Sequence, residues 1–180
     1  MGDEDNNWAP LLQNYLINNV HGDTTIYNAC EYAAIIGEDG TTWAATEGMV
    51  FNTANKVTVN KEDGSTEDVM VNEMEHLKDA ITHRGDTGKM KKGGVHFLGH
   101  KWITLDGFQG EEYFTQYFKR NGGGCAVTMC DTGRIVMGTW NAEKKAITLK
   151  GDVQKDVKQS VGFCNNAVDD LSKVIAAMPL

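Results

Sequence analysis

Proline is scarce in this chain, two residues in 180, and no apolar run approaches the ~20 residues that a bilayer-spanning helix needs. The composition is that of an ordinary globular protein, 41% hydrophobic and 23% charged, which excludes a collagen-like or largely disordered chain. Basic residues are outnumbered, 17 against 25 acidic ones, so the positive face that general nucleic-acid binding requires is missing. Cys30, Cys125, Cys130 and Cys164 contain no CxxC pair. They read as reduced, buried, small apolar side chains and imply a cytoplasmic home. The leading Met-Gly-Asp-Glu-Asp-Asn-Asn lacks the positive flank and apolar stretch of a secretory signal, and Asn6 stands where a myristoylation motif wants Ser or Thr.

Motifs of catalysis are missing too. Gly122-Gly123-Gly124 does not fit the GxxxxGK[ST] phosphate loop, and His76 and His83 lack the HExxH spacing of a zinc site. His96 and His100 fall in predicted strands or their turn, and Cys125 and Cys130 read as core thiols rather than nucleophiles. No enzymatic activity, no cofactor and no metal are expected.

What is present is a clear alternation of patterns. Trp8, Leu11, Leu12, Tyr15 and Leu16 form one apolar helical stripe, ended by Asn18, Asn19 and Gly22. Val157, Val161, Cys164, Val168, Leu171, Ile175 and Met178 form another, with Asp152 as its expected cap. Strands are predicted between them: Tyr32 to Ile36 and Thr41 to Thr46 about an Asp-Gly turn, Val95 to Leu98, Lys101 to Leu105, Tyr113 to Phe118, Cys125 to Met129, and Arg134 to Trp140. Asp106, Gly107 and Gly110 read as a connection, and Gly133 as the left-handed residue of a hairpin turn. Met74, Leu77, Lys78, Ala80 and Ile81 predict a short helix, and Gly85 to Gly94 a loop. The short connections require an antiparallel sheet. The expected fold is therefore α+β: a central antiparallel sheet with the two terminal helices on one face, forming a single domain over 1–180 with a hairpin inserted at 52–72.

This order resembles the profilin family. Ala33-Ala34-Ile35-Ile36-Gly37-Glu38-Asp39-Gly40-Thr41-Thr42-Trp43-Ala44 is similar to the family's first hairpin. Trp8 is similar to the tryptophan that opens its first helix, and Leu98-Gly99-His100-Lys101-Trp102-Ile103 to its middle strand pair. Cys164 to Leu171 resembles the opening of its final helix. The resemblance implies an actin-monomer-binding regulator of polymerisation and of nucleotide exchange on actin, associated with the cytoskeleton and monomeric. Carried over by position, the actin contact falls on Lys101 and Ile103, with Arg134, Lys155, Lys158 and Gln159 as further candidates.

The resemblance also implies a groove for proline-rich peptides built on Trp8 and Trp43, with Tyr15 as a helper. The chain departs from the family there: Leu11 replaces an aromatic, and Val174, Ile175 and Met178 occupy the last helix where another is expected. Packing of both tryptophans on helix and sheet is the competing reading. Phosphoinositide headgroups, a further family ligand, would meet Arg84, Lys89, Lys91, Lys92, Lys119 and Arg120. A ligand-sensing or adaptor domain of similar topology, without actin binding, is the alternative to the whole assignment.

Overall fold

The structure, a computed structural model, describes residues 8–88 and 94–179. Lys89, Lys91 and Lys92 lie outside the described residues. The chain opens with a short α-helix, α1 (Trp8–Leu11), continued by a π-helical segment Leu12–Ile17. Seven strands make the main sheet: β3 (Tyr32–Ile36), β4 (Thr42–Ala45), β7 (Val95–Phe97), β8 (His100–Gln109), β9 (Tyr113–Arg120), β10 (Gly123–Cys130) and β11 (Ile135–Asn141). Their spatial order is β4-β3-β11-β10-β9-β8-β7, antiparallel throughout.

Period-two alternation divides the main sheet's side chains between two cores. Ala33, Ile35, Ala126 and Val136 point to one face, where the π-helical segment and helix α3 (Val161–Ala176) cover them. Ala34, Ile36, Val127, Ile135 and Met137 point to the other, against helix α2 (Glu73–Thr82). Both terminal helices thus lie on one face, as expected. Small residues let α3 approach closely: a Cβ on Gly138 would come within 2.8 Å of Cys30 Sγ and 3.3 Å of Cys164 Sγ. Those two thiols sit 3.7 Å apart, and all four cysteines are free and buried.

The 52–72 segment forms a hairpin of its own, β5 (Asn55–Asn60) with β6 (Thr66–Val71). Its base is tied to the main body by Glu73, which is only 1% exposed. The Glu73 carboxylate accepts from the Asn52 N–H at 2.7 Å and from the Gly99 N–H at 2.8 Å. It also lies in the first turn of α2, where the helix dipole favours a negative charge.

Three expectations need correction. The first helix does end at Asn18, its C-cap, but Gly22 is no part of that end: Asn18 and Asn19 begin β1 (Asn18–His21), which turns at Gly22 into β2 (Thr24–Tyr27). The last helix does not start near Asp152. Residues 145–158 form a hairpin, β12 (Lys145–Lys150) and β13 (Val153–Lys158), and Ser160 caps α3 by accepting from the Phe163 N–H at 3.3 Å. Together β1, β2, β12 and β13 make a four-stranded sheet. Finally, Asp106 and Gly107 do not form a connection: β8 runs through them to Gln109, absorbing them in an irregularity of its pairing with β9.

Candidate functional site

The two tryptophans singled out by sequence meet. Trp8 stacks on Trp43 with ring centroids 4.6 Å apart and planes inclined by 26°. Both are half-buried at the margin of the core beneath α3. Trp43 can lie where it does because Gly37 has no side chain: a Cβ there would come within 2.6 Å of the indole Nε1. Among the described residues, neither indole N–H has a hydrogen-bond partner, and both rings are partly accessible. Tyr15, half-buried in the π-helical segment, packs on the same core and makes no ring contact with either tryptophan among the described residues.

Arg134 joins this site rather than an exposed face. It is 8% exposed, and its guanidinium donates to the carbonyls of Met178 at 3.2 Å and Pro179 at 2.9 Å. Its Cζ lies 5.8 Å from the centre of the Trp43 ring. The side chain is therefore committed to the end of α3 and to Trp43, and is withdrawn from any free surface.

A second site lies on β8. Trp102 and Phe118 point into the core on the α2 side. Ile103 is paired with Lys119, and Tyr117, two residues before Lys119, packs in the core beneath α3. Alternation therefore puts Lys101, Ile103 and Lys119 on the α3 face. The helix packs on β10 and β11 and leaves β8 uncovered, so Ile103 is 55% exposed, Leu105 40% and Phe108 49%. The result is an apolar strip with Lys101 and Lys119 both at its Ile103 end.

The remaining actin-contact candidates separate. Gln159 is 3% exposed and used internally: its Oε1 accepts from the Asn141 N–H at 3.1 Å, and its Nε2 donates to Asn28 O at 3.0 Å. Lys155 and Lys158 are exposed on β13 rather than on a helix, and three residues apart in a strand they face opposite ways. Lys158 approaches Glu143 at 3.9 Å, while Lys155 lines an open groove with Thr24, Thr148, Lys150 and Val153.

Nor do the described members of the basic set converge. Arg84 lies over Phe114 at 4.3 Å and donates to Gln109 Oε1 at 3.3 Å. Phe114 and Arg120 stand six residues apart on β9, about 20 Å at a strand's rise. Lys119 and Arg120 are neighbours in that strand and so face opposite sides. Arg120 turns toward the α2 side, 3.6 Å from Glu31 and 5.5 Å from the Trp102 ring.

Sequence reasoning misses Leu105 and Phe108, because Asp106-Gly107 between them looks like a turn. The Ile103-Thr104-Leu105 alternation is the signal that could have recovered Leu105. It misses Gly37 as the seat of Trp43, although Gly37 lies within the hairpin that carries the family resemblance.

A family model described as Profilin matches residues 6–179, nearly the whole chain. A comparison with curated proteins finds no match. The profilin family is one of actin-binding proteins. Among the described residues, no helix is long and apolar enough to cross a membrane.

Proposed function

The chain belongs to the profilin family, and on that premise we propose that it binds actin monomers through the α3-side face of β8 and so regulates filament assembly in the cytoplasm. The observation that carries this reading is the apolar strip of Ile103, Leu105 and Phe108, with Lys101 and Lys119 beside its Ile103 end. An uncovered strip of this kind gives a partner surface to desolvate, while its lysines steer the approach of an acidic partner. Lys155 stands outside this strip, on the other sheet. The protein acts as a monomer, without chemistry of its own; any speeding of nucleotide exchange follows from which actin conformation it favours.

The Trp8–Trp43 stack is the platform for a proline-rich segment. Such a segment is already extended in the polyproline II form, so aromatic faces bind it at little ordering cost. The two indole N–H groups, which have no hydrogen-bond partner among the described residues, supply donors for its carbonyls. With Leu11 and Val174 in place of further aromatics, binding is weak.

The test is actin assembly measured with wild-type protein and with the variants Ile103→Asp and Lys101→Glu. Wild-type protein should raise the concentration of unpolymerised actin; Ile103→Asp should abolish the effect and Lys101→Glu weaken it. An unchanged effect in Ile103→Asp would place the contact on another face.

A further inference from the structure

Arg134 stands out because a buried guanidinium has been given to backbone carbonyls. Among the described residues no carboxylate pairs with it. Two of its nitrogens instead donate to Met178 O and Pro179 O, the carbonyls just past the last turn of α3. These two carbonyls follow the C-cap Ala177, outside the helix's own hydrogen-bond ladder, and a cation beside a helix C-terminus is favoured by the helix dipole. The same planar group lies beside Trp43, which is stacked on Trp8. One side chain, anchored just before β11, therefore links the end of α3, β4 and the start of α1.

We propose that Arg134 is the positioning residue of the aromatic platform: it holds the end of α3 against Trp43 and thereby fixes the geometry in which the Trp8–Trp43 pair meets a proline-rich ligand. The inference rests on the groove reading given above. It explains how a platform can be kept in register when the last helix supplies Val174 and Ile175, and the residues after it Met178, instead of aromatic rings. A guanidinium suits this task and an ammonium does not. Its planar fork can donate to two carbonyls at once while lying near a ring, whereas lysine is a strongly hydrated point charge on a flexible stem.

The experiment compares wild-type protein with Arg134→Met, Arg134→Lys and a chain lacking residues 178–180. Three readouts are taken: binding of a proline decapeptide by tryptophan fluorescence, the tryptophan exciton couplet in circular dichroism, and retention of actin monomers. Arg134→Met should weaken decapeptide binding about tenfold, the scale of one hydrogen bond to a charged group, and diminish the couplet while actin retention stays unchanged. Arg134→Lys should remain severalfold weaker than wild type despite its charge. Removal of the tail should reproduce the loss, and combining it with Arg134→Met should add nothing, as expected of two parts of one unit. Should Arg134→Met fail to fold, Arg134→Lys and the shortened chain decide the matter by the same readouts. A lowered unfolding temperature with wild-type peptide affinity and couplet would make Arg134 a helix cap only and overturn the proposal. Absence of decapeptide binding by the wild-type protein would overturn the groove reading itself, and this proposal with it.

Discussion

Replacing Gly37 by alanine adds one methyl group directly under the Trp43 indole. An ideal Cβ at this position lies 2.6 Å from Cε2 and Nε1 and 2.7 Å from Cζ2. Non-bonded carbons rest about 3.5 Å apart or more, so the ring must retreat by about 1 Å. The backbone itself accepts alanine, because Gly37 is not among the residues of positive φ. Its turn bonds, Gly37 N–H to Thr41 O at 2.8 Å and Gly40 N–H to Gly37 O at 2.9 Å, involve main-chain atoms that the substitution leaves in place. The displaced ring has Trp8 stacked 4.6 Å away, so the stack must shift or open. An aromatic pair is worth about 0.5–1.5 kcal/mol beyond its buried area. Overpacking costs a further 1–3 kcal/mol, roughly, against which alanine returns about 0.4–1 kcal/mol by restricting the unfolded chain. Gly37→Ala should therefore remain folded, melt a few degrees lower and bind a proline decapeptide roughly three- to tenfold more weakly, since 1.4 kcal/mol is a factor of ten. Titration followed by tryptophan fluorescence, with actin retention as a control for the fold, measures this. Wild-type peptide affinity together with an unaltered tryptophan couplet would show that the close approach to Gly37 does not set the platform.

Glu73→Ala removes the acceptor of two backbone N–H groups and should cost about 3–5 kcal/mol of stability in denaturant unfolding, with Glu73→Gln losing less; a loss under about 1 kcal/mol would refute the tie. The Cys164 contact and burial push the Cys30 thiol well above its ordinary value, and burial does the same to Cys125 and lifts Cys130 to about 11. Native protein at pH 8 should therefore leave these thiols unmodified by a thiolate-selective reagent that labels all four cysteines after denaturation. Burial, and then the charge of Arg120, hold the His100 imidazole below its usual 6.5, so the fold favours the neutral ring. Its contribution is present above about pH 6.5 and is lost as pH falls toward the folded value, because the unfolded chain takes up the proton first. His100→Asn should flatten stability over that window, and an identical pH profile would count against it.

Much of the main sheet is legible because both of its faces are buried and its turns carry Asp-Gly or Thr-Gly. Tyr32 to Ile36 and Cys125 to Met129 are apolar on both sides, and a strand covered on both faces reads that way. The second sheet is not legible. Asn18-Asn19-Val20-His21 and Val153 to Lys158 are polar edge strands, and their polar side chains, charged only in the second, line an exposed edge rather than mark a core. A spacing of four from Val157 to Val161 fits a helix turn and also alternate positions of a strand, so the pattern alone cannot place the boundary; Ser160 does. At the candidate sites, the tryptophan pair follows from the family resemblance, but the place of Arg134 depends on contacts 44 and 45 residues away. No local period encodes such a contact.

The two proposed surfaces share one face of the main sheet. Trp43 lies on β4 at one edge and Ile103 on β8, with β3, β11, β10 and β9 between them. Five strand spacings amount to about 24 Å. The helix α3 fills part of that interval, seated closely on Gly138, and its end is held near Trp43 by Arg134. An actin monomer on β8 and a proline-rich segment at Trp8 and Trp43 can then be held together without competing for side chains. Sites this far apart with no shared partners add in free energy to within about 0.5 kcal/mol. The double variant Gly37→Ala with Ile103→Asp should accordingly lose actin retention as Ile103→Asp alone does and decapeptide affinity as Gly37→Ala alone does. Affinity for the decapeptide that depends on actin in the wild-type protein, or on Ile103 in its absence, would show that α3 transmits between the two surfaces instead of separating them.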